Sequence, residues 1–438
     1  MRKWALGVGV LALLLAGAFA GETYYVSFEG DDAGSGSKEK PWKTLQAAVE
    51  KLKAGDTLVV MPMPAPPKVD EVDLILLGDN KKPGAQVVPT AYKGAVLKKG
   101  GEQGAPITIR AADKHKVAVG GGGEYGFCFQ GSECQHVRVE GFEIFAVNRG
   151  VLVDGGAGFI EVSDCDIRGC RMGVKVGAGT DCAFRRLKIH DNKYGMHLGD
   201  KGKNKPDRML VEDCEARNNH NKTKSAGSPI GKDNTDGFCC ELGEATGIVF
   251  RRCFASGSQD SGFDIKPEDA VLENCIAGGG CKQGFKLWRG AKLVNCLSYG
   301  NGAREIQLAG IGKRGVELVN CTFVAKGNVL EADGPVKVLN CILVGKVSHS
   351  EKGSSEWSLA GPLEEDFNLL SGGADSIKKG QHSLTGEPKL VDPAKGDYHL
   401  QAGSPAIDTG TAAGAPKTDL DGKARPQGKG VDIGAYER

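Results

Sequence analysis

The chain has 438 residues, a net charge near +1, 25% charged residues and 6% aromatic residues. A balance so close to neutral leaves no basic footprint for nucleic acid, so none is expected among its partners. With 66 glycines and few aromatics, the composition suits short strands joined by tight turns better than a compact aromatic-cored domain.

Residues 1–20 read as a secretory leader. Arg2 and Lys3 form a basic start, residues 11–15 (LALLL) an apolar core, and Ala18-Phe19-Ala20 a small-residue cleavage site. No second apolar run of membrane length follows, so the mature chain is expected without a membrane span. It is expected to be secreted or held at the cell surface, with the periplasm as a further option. Residues 21–111 form the N-terminal cap and first coils. TLQAAVEKLK (44–53) has the pattern of an amphipathic helix ended by Gly55, suited to covering the open end of a solenoid. The strand TLVVM (57–61) follows, 63–99 is an irregular insertion, and 105–111 resumes the strands.

Between 112 and 350 one eight-residue phrase with a cysteine near its middle recurs: VSDCDIRG (162–169), VEDCEARN (211–218), FRRCFASG (250–257), LENCIAGG (272–279), LVNCLSYG (293–300), LVNCTFVA (318–325) and VLNCILVG (338–345). FRRLKIHD (184–191) is another copy, with Leu187 in the cysteine slot. The slots 165, 187, 214, 253, 275, 296, 321 and 341 are separated by 22, 27, 39, 22, 21, 25 and 20 residues. Self-similarity at a period near 20–25 residues marks a solenoid. A glycine-apolar step recurs in time with the phrase (GVL at 150, GVK at 173, GMH at 195, GFC at 237, GFD at 262, GFK at 284, then EIQ at 305). Short β-rich runs, polar turns and no helical period predict an all-β chain: a right-handed parallel β-helix with about 22 residues per coil. The leucine framework of a leucine-rich repeat is absent.

The seven cysteines at one register read as an inward ladder of small apolar side chains. Cys128, Cys134, Cys170, Cys182, Cys239, Cys240 and Cys281 fall off that register and are the better disulfide candidates in an exported chain. Zinc is set aside, because there is no CxxC pair and histidine is scarce. Polar loops at 199–235 flank the 211–218 phrase and would lengthen one edge of a cleft. Residues 351–438 are rich in Pro, Gly and Asp and read as a terminal cap, with a monomer expected.

Strand parity places Phe263 and Ile265 on one face and Asp264 and Lys266 on the other; one coil on, Phe285 and Leu287 point inward while Lys286 and Trp288 point outward. Asp236 and Asp260 are one coil apart, Asp264 lies four residues beyond, and Lys286 follows Asp264 by 22. Clustered carboxylates on a rigid sheet suit Ca²⁺. A nearby lysine, its neutral form favoured by that charge and by desolvation, suits general-base duty. The combination fits β-elimination from a uronate, in which the carboxylate is charge-stabilised while the lysine removes the adjacent C5 proton.

With these blocks (NTDGF at 234–238, QDSGFD at 259–264, QGFKL at 283–287) the chain resembles the family 9 polysaccharide lyases, calcium-dependent pectate lyases built on a parallel β-helix. The resemblance implies that Asp236, Asp260 and Asp264 are calcium ligands and that Lys286 is the Brønsted base. Ser261 stands at the family's second aspartate position, so a ligand is lost; Asp233 or Glu241 are the acidic residues at hand to replace it. Trp288, Arg289 and Arg304 are candidate contacts for the acidic polysaccharide substrate, by stacking and ion pairing. The ending GSPAIDTG…VDIGAYE resembles the terminal segment of bacterial choice-of-anchor surface proteins. The alternatives are a non-catalytic glycan-binding surface β-helix and a glycoside hydrolase on the same fold, which would need two carboxylates and no lysine.

Overall fold

A computed structural model describes residues 21–63, 91–199, 205–220, 234–352 and 359–438. The leader-like residues 1–20 and Asp233 lie outside this set. The fold is a parallel β-solenoid of about ten turns, with one short α-helix among the described residues. Each full coil supplies one strand to each of three parallel sheets. One coil contributes Ala157–Ser163 to the first sheet, Asp166–Arg168 to the second and Met172–Val176 to the third. Each pairs in register with its counterpart one coil on, as in Val162 with Phe184, Ile167 with Ile189 and Val174 with Met196.

The cysteine phrase is a corner, a strand and a second corner. The residue before the slot is left-handed in every copy: Asp164, Arg186, Asp213, Arg252, Asn274, Asn295, Asn320 and Asn340 all have φ between 49° and 56°. Asn and Asp tolerate this region because their short polar side chains bond locally. The two arginines are held by carboxylates instead, Arg186 by Asp164 and Arg252 by Asp213. The next residue points inward, and all eight slots are buried. Two further copies carry other residues in the slot: Phe142 after Gly141, and Asn368 after Phe367.

The glycine column has a different cause. A Cβ on Gly150, Gly173, Gly195, Gly237 or Gly262 would meet the carbonyl oxygen of the glycine one coil on at 2.5, 2.9, 2.2, 2.8 and 2.8 Å. Stacked backbones approach too closely there for any side chain. Directly behind, Phe238, Phe263 and Phe285 stack with centroids 5.1 and 4.9 Å apart and planes within 21° and 14°. This stack locks the register of three successive coils of the third sheet.

The ends differ from expectation. The helix spans Leu45–Val49 only, because the Asp56 carboxylate takes the Lys53 N–H at 2.7 Å and turns the chain. It still serves the edge: the Gln46 amide bonds both the N–H and the C=O of Val96, in the strand Ala95–Leu97 that starts the third sheet. That strand lies inside the expected insertion, of which residues 64–90 are outside the described residues. Strand stacking runs from Thr23, among the first coils expected in 21–111, to Thr385, past the expected end near 350. The tail packs along the flank of the second sheet, where Leu297, Ile342 and Leu369 meet Leu390, Tyr398, Leu400 and Ile433. Asn295, Asn320 and Asn340, one per coil, donate to the tail carbonyls of Thr418, Asp432 and Thr411. Among the described residues no helix is long and apolar enough to cross a membrane.

All fourteen cysteines are buried free thiols, so the off-register cysteines are not disulfide-bonded. The in-register thiols point into the core; Cys239 and Cys240 are strand neighbours facing opposite sides, which keeps both out of a shared bridge.

Candidate active site

The third sheet carries the site. Two corners flank it, and the long polar loops enter from both: 199–209 leaves the strand Tyr194–Leu198, and 218–237 enters the strand Phe238–Cys240. The middle parts of both loops lie outside the described residues. The corner entering this sheet is fixed from inside by buried amides. Asn192 accepts from the Cys170 N–H and donates to the Ile167 carbonyl, while Asn219 donates to Ile189. Asp236 and Asp260 stand just past this corner and Asp264 lies within the strand Ser261–Ile265.

These three aspartates converge, each with a carboxylate oxygen within 4.8 Å of the others, and are only 4%, 4% and 1% exposed. On the outward face, then, Asp264 is covered while its neighbours Lys286 and Trp288 stay partly exposed. Asp264 and Lys286 are register partners on adjacent coils. The Lys286 Nζ lies 3.0 Å from Asp264 Oδ2 and 3.3 Å from Asp260 Oδ2. Lys282 Nζ stands 3.7 Å from the other Asp260 oxygen. Among the described residues Asp236 accepts from the Ser261 backbone N–H at 2.9 Å.

Electrostatics follow from burial. Desolvation pushes the Asp236 carboxyl well above the usual carboxylate range, and the neighbouring charges of Asp264 and Asp260 push it further. Desolvation raises Asp264 too, with Lys286 and Lys266 opposing it. For Lys286, desolvation favours the neutral amine, but the carboxylates of Asp264 and Asp260 outweigh it and hold the ammonium form. The lowered lysine expected beside a cation is thus not the state of this arrangement, in which Asp264 and Asp260 share the Lys286 ammonium.

The donor set fits a hard divalent cation: three converging buried carboxylates, Asp236, Asp260 and Asp264, supply oxygen ligands. Ser261 adds no carboxylate, and its hydroxyl donates to Gln283 Oε1 at 3.4 Å. Glu241 does not replace it, being bound to Lys266 and grouped with other side chains.

Trp288 was expected to stack on a sugar. Its indole N–H donates to Asp264 Oδ1 at 2.8 Å, and its ring lies near the ammonium groups of Lys286 and Lys266. Arg289 pairs with Glu244 at 3.0 Å and Arg304 with Glu331 at 2.9 Å, so each guanidinium already meets a carboxylate. Sequence reading missed Lys282, which lies in the bend just before the strand Gln283–Val294 that carries Lys286. It also missed the bond between Trp288 and Asp264, although strand parity places both on the outer face.

A family model described as a Pel9A-like, right handed beta helix region matches residues 24–309. The uncharacterized protein YwoF of Bacillus subtilis (strain 168) is 30% identical over 195 residues, 40% of this chain and 38% of that protein. The chain thus aligns with under two fifths of that relative's length. The crystal structure of pectate lyase Pel9A is similar with a TM-score of 0.53 and 18% identity, covering 96% of this chain and 98% of that one. The Azotobacter vinelandii mannuronan C-5 epimerase AlgE6 A-module reaches a TM-score of 0.50 at 10% identity, over 76% of this chain and 91% of that one. At these identities the structural likeness is one of fold, and the fold serves more than one chemistry.

Proposed function

The chain belongs to the Pel9A-like right-handed β-helix family, and from that premise we propose that it is an exported, calcium-dependent polysaccharide lyase acting on a uronate-containing, pectate-like glycan. The observation that carries the proposal is the Lys286 Nζ set 3.0 and 3.3 Å from two of three converging buried carboxylates. Asp236, Asp260 and Asp264 would hold Ca²⁺, which when bound supplies positive charge for the substrate carboxylate and for the negative charge that grows on it.

Lys286 is the base. Its amine takes the C5 proton of the uronate; the C5–H electron pair becomes the C4=C5 double bond, the C4–O bond breaks, and the departing glycosidic oxygen leaves with its electron pair and is protonated from solvent. Lys286 here is the counter-ion of Asp264 and Asp260, so it becomes a base once those carboxylates are neutralised from another source. Trp288 orients Asp264, and Phe263 and Phe285 behind the pair hold the two coils in register. Arg289 and Arg304 contact substrate only by exchanging Glu244 and Glu331 for a uronate. The export leader and a surface-holding tail belong to the same proposal.

One other reading has an observation behind it: Ser261 in place of an acidic ligand fits a glycan-binding β-helix without catalysis. The hydrolase reading is weaker, since its carboxylates stand about 5–9.5 Å apart without a shared lysine, whereas Asp260 and Asp264 share Lys286. Incubation with polygalacturonate and with alginate, in calcium or in chelator, separates the three. The lyase gives an ultraviolet-absorbing unsaturated product in calcium only. Glycan binding without product identifies the binding protein, and reducing ends without that absorbance identify hydrolysis.

A further inference from the structure

Beside the aspartates, His197 of the preceding coil and Cys239 and Glu241 of the Asp236 coil bring an imidazole nitrogen, a thiol sulfur and a carboxylate oxygen within 4.8 Å of one another. His197 and Cys239 are register partners on adjacent strands of the third sheet, and Glu241 lies two residues along on the same outer face. The donors are 42 and 2 residues apart in the chain, so spacing rules for zinc written along one segment do not register them. They meet because the coils stack.

We propose that these residues form a second metal site, selective for a borderline-soft divalent transition ion of the Zn²⁺ class and separate from the aspartate cluster. The donor chemistry makes the distinction. Ca²⁺ takes oxygen ligands only, whereas a thiolate, an imidazole and a carboxylate are the mixed set that Zn²⁺ binds. Bond lengths of about 2.0–2.3 Å around a tetrahedral ion put donors roughly 3.3–3.8 Å apart. Cys239 Sγ and Glu241 Oε1 are already 3.5 Å apart. Cys239 is buried at 3% exposure, and His197 and Glu241 are half-buried. As the metal–sulfur bond forms, the thiol proton passes to solvent.

Three protein donors leave a fourth position open on the half-exposed side. Cys239 is the register partner of Asp264, which places the two clusters on neighbouring rungs. The open position would take water or an oxygen of an acidic glycan lying along the sheet. Lys266 opposes binding: its ammonium bonds Glu241 and competes with any cation there. This inference does not depend on the lyase reading, since a non-catalytic chain would hold the same three donors.

The test is Co²⁺ titration of the metal-free full chain, read by the thiolate-to-cobalt charge-transfer band. One equivalent is expected to develop the band, Zn²⁺ to bleach it and excess Ca²⁺ to leave it. Cys239→Ser should abolish it and His197→Ala should weaken binding at least about tenfold, with circular dichroism confirming folded variants. Lys266→Gln removes the competing ammonium and should tighten binding several-fold, a gain that misfolding does not produce. Absence of the band, its persistence in Cys239→Ser, or unchanged affinity in Lys266→Gln would each overturn the proposal.

Discussion

Asp264 receives the Lys286 ammonium on one oxygen and the Trp288 indole N–H on the other. Fixing both oxygens orients the carboxylate, and outer bonds of this kind tune how well a carboxylate serves a cation. Trp288→Phe keeps the ring and deletes the donor. Calcium affinity, measured by titration calorimetry, should fall about tenfold while the fold persists; unchanged affinity would leave Trp288 with no positioning role. His190 is a second residue whose partners decide its state. Hydrogen bonds to Asp166 and Asp191 raise it from 6.5 to about 9, against desolvation. A raised histidine contributes stability that is complete below about 6.5 and is lost as pH climbs through about 9. The His190 ring resonances should therefore titrate with a midpoint near 9, and stability should decline between those limits; a midpoint near 6.5 would contradict the ion-pair geometry.

At the level of strands and corners, the coil count was legible because each phrase ends in buried, turn-specific chemistry. Cysteine was the visible marker, but the rule beneath it is a left-handed residue followed by an inward side chain. That rule also admits Phe142 and Asn368, which the cysteine search passes over. The pairing of Asp264 with Lys286 was legible for the same reason, a 22-residue offset between identical GF steps. Burial of Asp264 was not, since parity gives the face and says nothing about what Trp288 and the corner residues cover. The spacing of the coils themselves rests on the glycine column. Gly262→Ala would set a Cβ 2.8 Å from the Gly284 carbonyl oxygen, between the strands that carry Asp264 and Lys286. Forcing an extra methyl into such a contact costs about 1–3 kcal/mol. Thermal unfolding should begin earlier, and calcium affinity should drop with it; an unaltered melting curve would show that the coils can part freely.

Over the whole molecule, cross-coil neighbours decide what sequence spacing cannot. Fourteen cysteines invite a disulfide framework, yet every thiol is buried and unbridged. A thiol reagent should find few reactive groups in the native protein and all fourteen after denaturation without reductant; a shortfall after denaturation would reveal bridges. The tail likewise read as an end cap and instead lines the flank, because one asparagine per coil offers its amide sideways to the tail carbonyls. The central claim joins all three scales: a rigid stack sets one lysine against three buried aspartates so that it removes a proton from a uronate. The direct measurement is the rate of unsaturated-product formation from polygalacturonate by Lys286→Ala in saturating calcium, beside the unaltered chain. The account predicts that the variant still binds calcium, having lost only a competing positive charge, and forms no detectable product. A variant that retains the rate of the unaltered chain would contradict it.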